Sequence, residues 1–316
     1  MSFEPDHSIE IFGVKWKTPL TTASGTFELG DMARKLFDLN DFGAITLKSL
    51  TLNPREGNPP PRIAEVDCGL LNSIGLANPG INYFLEQILP KIKSFGIPLI
   101  LSIAGDSIEE YVSLAQKLSK IEGLMALEVN MSCPNASKRM LEFGSNPKDS
   151  YFLVKEICRV SHYPIIAKLT PNCLSIQDIA LAVEEAGANA VSLINTLIGM
   201  DVDLLLKKPI TGLPTAGLSG PAIRTIALRM VWEVYKVVKI PIIGMGGIIR
   251  AEDAIKFFLV GASAVALGTV NFIDFSASKK IINGLDSYLR ENSFASLKEI
   301  IGLAHKSLEF MRCGGD

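Results

Sequence analysis

The chain has 316 residues, of which 48% are hydrophobic and 20% charged, with a formal net charge of −2. Its lysines are scattered in no run longer than a pair, which argues against nucleic acid as a main partner, because phosphate binding needs a concentrated basic surface. The length suits one large α/β domain spanning 1–316 better than two full domains.

In chain order, the opening MSFEPDHSIE is acidic and lacks a signal-type apolar run, which predicts a cytoplasmic location. IEIFGVKWKT, Ile9–Thr18, reads as a hairpin able to plug a barrel floor. Short apolar, β-branched runs then alternate with amphipathic stretches. Strands are expected at Leu20–Ala23, Ala44–Lys48, Leu99–Ile103, Ala126–Met131, Ile165–Leu169, Ala190–Ile194, Pro241–Met245 and Ala264–Leu267. Helices are expected at Ser107–Lys120, Lys148–Val160, Ser175–Ala186, Pro221–Val238 and Ala251–Val260. Ser175 is placed to cap its helix, and Pro221 suits a first helical position. Thr51–Asn82 is long and rich in Pro, Gly and Asn, and reads as a functional loop.

Eight βα units predict a (β/α)8 TIM barrel with long loops over its C-terminal face. An open doubly wound sheet is the alternative, but no G-x-G-x-x-G fingerprint opens the chain. Two uncharged stretches, Cys68–Leu85 and Phe257–Ile273, approach membrane-spanning length. Gly and Asn interrupt both, so no membrane segment is expected. The five cysteines are odd in number and form no C-x-x-C pair. That disfavours a disulfide framework, a structural zinc and an iron–sulfur cluster within this chain. The three histidines, His7, His162 and His305, lie in the tail or in helical surroundings, so proton chemistry falls to another residue type.

Barrel enzymes build their sites at the C-terminal strand ends. Those ends read ASGT (23–26), LKS (47–49), SIAG (102–105), NMSCPN (130–135), AKLTPN (167–172), INT (194–196), GMGGI (244–248) and LGT (267–269). Lys48 and Lys168 stand out there. Either could carry its amine to solvent along an apolar stem, but two lysines in one barrel mouth suggest an anionic ligand or a cofactor that becomes anionic. GMGGI and LGT end the seventh and eighth strands, the usual phosphate position in barrels. Asn72, Asn130, Asn135 and Asn195 offer both amide donors and acceptors and suit a ligand with a pyrimidine-like edge. Each could equally be a turn asparagine. Cys133 could be a buried core thiol, but its place past a strand end among asparagines makes it the best-placed candidate base.

NMSCPN, LKSLTLNPREGNPPPR, LLNSIGLANPG, INTLIGM, GLSGPAIRTIALRMVWEVYK and PIIGMGGI together resemble the class 1 dihydroorotate dehydrogenases, most closely the 1B catalytic subunit. The likeness runs from about Leu20 to Phe272. It implies a flavin mononucleotide (FMN) enzyme that oxidises dihydroorotate to orotate in pyrimidine synthesis. By the same resemblance Cys133 would take the C5 proton while a hydride leaves C6 for the flavin. Lys48, Asn72, Ser73, Ile74, Gly75, Leu76, Asn130, Asn135, Asn195 and Thr196 would hold the substrate. Ala23, Ser24, Lys48, Ser49, Ser102, Asn130, Lys168, Ile194, Gly220, Gly246, Gly247, Gly268 and Thr269 would contact FMN, with Lys168 stabilising charge on the reduced ring. Expected partners are a second copy, giving a homodimer, and an electron-transfer subunit with FAD and an iron–sulfur cluster that passes electrons to NAD⁺.

The chain departs from the family pattern at three places. Ser102 stands where Asn is common, Ala216 where Gly is usual, and ASKRMLEFG (136–144), the expected lid, lacks a glycine pair. The nearest alternative is a dihydropyrimidine dehydrogenase-type flavoenzyme, which shares the Ser-Cys-Pro motif. LLNSIGLANPG and INTLIGM favour dihydroorotate. An aldolase-type barrel with a Schiff base on Lys168, or a non-catalytic flavin-binding subunit, are the remaining readings.

Overall fold

The computed structural model of the chain describes residues 4–30, 33–131 and 143–306. At its start Ile9–Ile11 and Val14–Trp16 pair antiparallel across a turn in which Phe12 and Gly13 both have positive φ, 55° and 72°. That conformation matches the twist of a tight hairpin. Ile9, Ile11 and Trp16 are buried, and the Trp16 indole N–H donates to Met125 Sδ at 3.4 Å. A Cβ added at Gly43 would overlap Trp16. Gly43 and Met125 both lie at the amino ends of barrel strands, so the hairpin covers the barrel floor, as its sequence suggested.

The eight barrel strands are β1 (Leu20–Thr22), β2 (Ile45–Leu50), β3 (Leu99–Ile103), β4 (Ala126–Asn130), β5 (Ile165–Lys168), β6 (Ala190–Leu193), β7 (Ile242–Met245) and β8 (Ala264–Leu267). They form one parallel sheet in the order β1-β8-β7-β6-β5-β4-β3-β2. The sheet is nearly closed into a barrel. At the seam, threonine side chains take over from a regular ladder: Thr21 and Thr46 hydroxyls meet at 3.2 Å, and Thr22 Oγ1 donates to Thr46 O at 3.0 Å. Most strands read as unbroken apolar runs because packed helices outside and packed side chains inside bury both faces.

The expected strands and helices all form, with ends moved by a residue or a few. Ser107 and Ser175 cap their helices, Ile108–Leu118 and Ile176–Glu185, by accepting from Glu110 N and Asp178 N, each at 3.3 Å. Pro221 opens a 3-10 turn that runs into the helix Arg224–Tyr235. A further helix, Ala277–Glu291, follows β8 and buries Ile281, Leu285 and Leu289. Among the described residues no helix is long and apolar enough to cross a membrane.

The stretch Thr51–Asn82 is not simply a loop. It holds the strands Ile63–Val66 and Gly69–Asn72, which join Ala216–Ser219 and Leu197–Gly199 in a four-stranded antiparallel sheet. This sheet brings residues from two distant connections together over the C-terminal mouth. Its strands are short and half-exposed, so their apolar alternation is weak, and the pairing between connections leaves no local trace in the sequence.

Candidate active site

A cavity of about 280 Å³ opens at the C-terminal ends of the barrel strands, beneath that sheet. Ala23 and Ser24 follow β1, Lys48 and Ser49 come from β2, Asn130 from β4, Lys168 from β5, and Ile194, Asn195 and Thr196 follow β6. Gly246, Gly247, Gly268 and Thr269 follow β7 and β8, while Asn72, Ile74, Leu76 and Gly220 come from the long connections. The structure thus gathers around one cavity most of the residues singled out from sequence.

Lys168 is the deepest cation. Its side chain is 4% exposed and its ammonium lies 3.5 Å from Glu128 Oε1, while it donates to Ser24 Oγ at 3.2 Å. Glu128 Oε2 accepts from the Ser192 hydroxyl at 2.9 Å. Glu128 Oε1 has no hydrogen bond, so the ammonium is its electrostatic counterpart. A buried ion pair of this kind survives because each charge offsets the desolvation cost of the other. Glu128 was not picked out from sequence. Its signal is a lone acid inside the apolar ALEVN, two residues before Asn130 and therefore on the same strand face. Asn130 in turn pairs in register with Lys168.

A line of amides and hydroxyls runs beside this pair. Asn195 Nδ2 donates to Asn130 Oδ1 at 3.3 Å, and Asn130 Nδ2 donates to Ser49 Oγ at 3.2 Å. Ser49 and Ser102 share a hydrogen bond of 2.8 Å. Ser102 is fully buried behind Ser49 and is not on the cavity wall, so it braces Ser49. The Tyr111 hydroxyl donates to Asn130 O at 2.6 Å and fixes the strand end. On the roof, Asn72 Nδ2 donates to Gly217 O at 3.1 Å, and a Cβ at Gly217 would overlap Thr196. Ser73 and Gly75 also stand off the wall. Ser73 is buried and accepts from Asn58 Nδ2 at 3.0 Å, while Gly75 has a φ of 68° against Asn58.

At the opposite rim, Lys48 Nζ lies 3.3 Å from both oxygens of Glu28, a second acid not foreseen from sequence. The loop after β7 carries Gly246 and Gly247 at φ of 126° and 73°, values that disfavour any side chain. Asp253 steadies this loop: it accepts from Ile249 N at 3.2 Å and pairs with Arg224 at 2.9 Å. Thr269 donates to Ser219 at 2.8 Å beside it. Two cations, an amide line and side-chain-free backbone at β7 and β8 fit a flat, polar-edged cofactor with an anionic tail.

Cys133 and Asn135 lie outside the described residues, as does most of the 136–144 segment. The described cysteines are Cys68, which is exposed, and Cys158 and Cys173, which are half-buried. Burial pushes the Cys158 thiol up to about 11, and burial also raises Cys173, whose thiol donates to Thr170 O at 3.3 Å. Neither they nor any histidine line the cavity. His7 faces Asp286 at 2.9 Å and His305 stacks on Trp232.

Comparison with known proteins gives this site its family. The model of the family described as dihydroorotate dehydrogenase matches residues 7–289. A protein of Thermoanaerobacter pseudethanolicus named dihydroorotate dehydrogenase B (NAD(+)), catalytic subunit, is 48% identical over 294 residues, covering 93% of this chain and 97% of that one. Proteins of the same name from Desulforamulus reducens and Geotalea uraniireducens are 49% and 46% identical. They cover 91% and 95% of this chain, and 94% and 98% of their own lengths. The match extends from the floor hairpin through the barrel and across the strand ends that build the cavity, and the chain belongs to the dihydroorotate dehydrogenase family.

Proposed function

We propose that this chain, acting as one catalytic domain, is the FMN-bearing subunit of a cytoplasmic dihydroorotate dehydrogenase that oxidises (S)-dihydroorotate to orotate in de novo UMP synthesis. The observation that carries this reading is the convergence on one cavity of Lys48, Asn72, Asn130, Asn195 and Thr196 with Lys168 and the glycines after β7 and β8. The first group presents a cation and alternating amide edges, which suit a carboxylate on a ring with C=O and N–H groups. Lys168, Ser24, Ser49 and Ile194 would hold the ring of FMN, and Gly220, Gly246, Gly247, Gly268 and Thr269 its phosphate end. When bound, FMN supplies the acceptor for the hydride that leaves C6 of the substrate.

The protein's part is position and charge. Cys133, three residues after Asn130, takes the proton from C5, so proton and hydride leave on separate routes and a C5–C6 double bond remains. The buried Lys168 ammonium would hold the cofactor and would offset negative charge placed on it. The Asn195–Asn130–Ser49–Ser102 line holds the amides of the wall in fixed orientation. As in the names of its relatives, electrons pass to NAD⁺, here through a partner subunit carrying FAD and an iron–sulfur cluster, and the catalytic chain forms a homodimer.

The test is anaerobic titration of the FMN-loaded chain with dihydroorotate. The flavin absorbance should bleach in the wild type, while Cys133→Ala should retain FMN and lose at least about 100-fold in reduction rate, the usual worth of a general base. An unbleached wild-type flavin would sink the activity, and an unchanged rate in the variant would sink the role of Cys133.

A further inference from the structure

The Lys48–Glu28 pair is not needed by the proposed chemistry, yet the loop is built to make it. Glu28 sits between β1 and the residues that follow Gly30, and its backbone is pinned: its carbonyl accepts from Lys48 N at 2.9 Å. Next to it Phe27 is buried in an aromatic cluster with Phe37 and Phe42, at centroid distances of 4.4 and 5.3 Å. Upstream, Thr26 donates to Ala23 O at 2.8 Å and accepts from Asn271 Nδ2 at 2.9 Å. Within this fixed loop Glu28 has a φ of 48°. A non-glycine residue seldom adopts that left-handed region, and a glutamate has no short side chain to relieve it locally.

The side chains are unequal partners. Lys48 is 16% exposed, whereas Glu28 is 68% exposed, and both face the cavity. The carboxylate therefore occupies the lysine from the solvent side, through both oxygens at 3.3 Å, without being buried itself. Such a pair is weak, so a better-placed anion can displace it.

We propose that Glu28 is a competing internal counter-ion for Lys48, which an incoming substrate carboxylate must displace, and so a residue that sets affinity for anionic ligands. This rests on the reading of the cavity as a dihydroorotate site. A ligand carboxylate that replaces Glu28 at Lys48 also leaves the displaced glutamate as a nearby like charge. Removing the Glu28 charge should tighten binding of anions and leave uncharged analogues of the same ring unaffected. The position tolerates change, since Glu28 is exposed and a glycine there would sit in its favoured φ region.

The experiment measures equilibrium binding of orotate and of its uncharged methyl ester to the FMN-loaded wild type, Glu28→Gln and Glu28→Gly, by calorimetry or the flavin difference spectrum. Both variants should bind orotate about two- to fivefold more tightly at low salt, the range of an exposed ion pair. The gain should fade near 1 M salt, where the screening length falls to about 3 Å, and the ester should bind all three proteins alike. Orotate affinity that is unchanged or weaker in both variants overturns the inference, as does an equal gain for the ester. A wild-type protein that binds FMN but not orotate overturns the reading of the site, and the inference with it.

Discussion

Lys168 and Lys48 reach one cavity from opposite surroundings. Lys168 is 4% exposed against a Glu128 that is 3% exposed, whereas Lys48 is 16% exposed against a Glu28 that is 68% exposed. The deep pair is held by the barrel wall, with Ser192 and Ser24 hydrogen-bonded behind it. The rim pair is held by a loop whose glutamate is 68% exposed to solvent. In the interior, neither charge has solvent to fall back on, so each depends on the other for stability. At the rim, water stands in for either partner, and the pair is available for exchange with a ligand. One kind of contact, acid to lysine, thus serves structure at one depth and recognition at another.

The contrast can be broken most forcefully in the wall. Glu128→Gln should lower stability by about 3–5 kcal/mol, because it leaves a buried ammonium without its counter-charge. Combining it with Lys168→Met should recover most of that loss, since no lone charge then remains inside. Urea unfolding of the single and double variants measures both. A single variant as stable as the wild type would mean that Glu128 carries no charge the fold depends on.

A smaller effect sharpens the other side. Glu28→Gln should change unfolding stability by less than about 1 kcal/mol, the range of an exposed pair. A loss as large as that of Glu128→Gln would erase the distinction between wall and rim.

The smallest effect concerns a thiol outside the cavity. Burial raises Cys158 to about 11 in the folded chain, above the ordinary thiol value, so between the two the unfolded chain has released a proton that the native chain retains. The contribution is whole below the ordinary value and is lost as pH rises toward about 11, so stability falls over that window. The fall should be shallower in Cys158→Ala, as thermal melts across alkaline pH would register. Parallel curves for the two proteins would count against the burial of this thiol.

Much of the barrel is legible in the sequence because its strands are buried on both faces and its helices on one. Runs such as PIIGM and AVAL, and the helix from Ser175, repeat at periods that depend only on local geometry. The strand-end set was legible for the same reason: polar residues such as Lys48, Asn130 and Lys168 stand out where apolar runs stop. Glu128 escaped notice although it lies in the same strand as Asn130. Its meaning depends on Lys168 and Ser192, which are 40 and 64 residues away.

Sequence alone determined the order of βα units, the floor hairpin, the candidate wall residues and the family resemblance. Tertiary structure alone decided that Ile63–Val66, Gly69–Asn72, Leu197–Gly199 and Ala216–Ser219 would pair into one roof. It also decided that Ser102 would stand behind Ser49, and that each lysine would meet a glutamate of its own. The physical reason is range. Burial periodicity is written in neighbouring residues, whereas a hydrogen bond between connections, or a charge facing a charge on an adjoining strand, exists only after the chain has closed and water has been excluded.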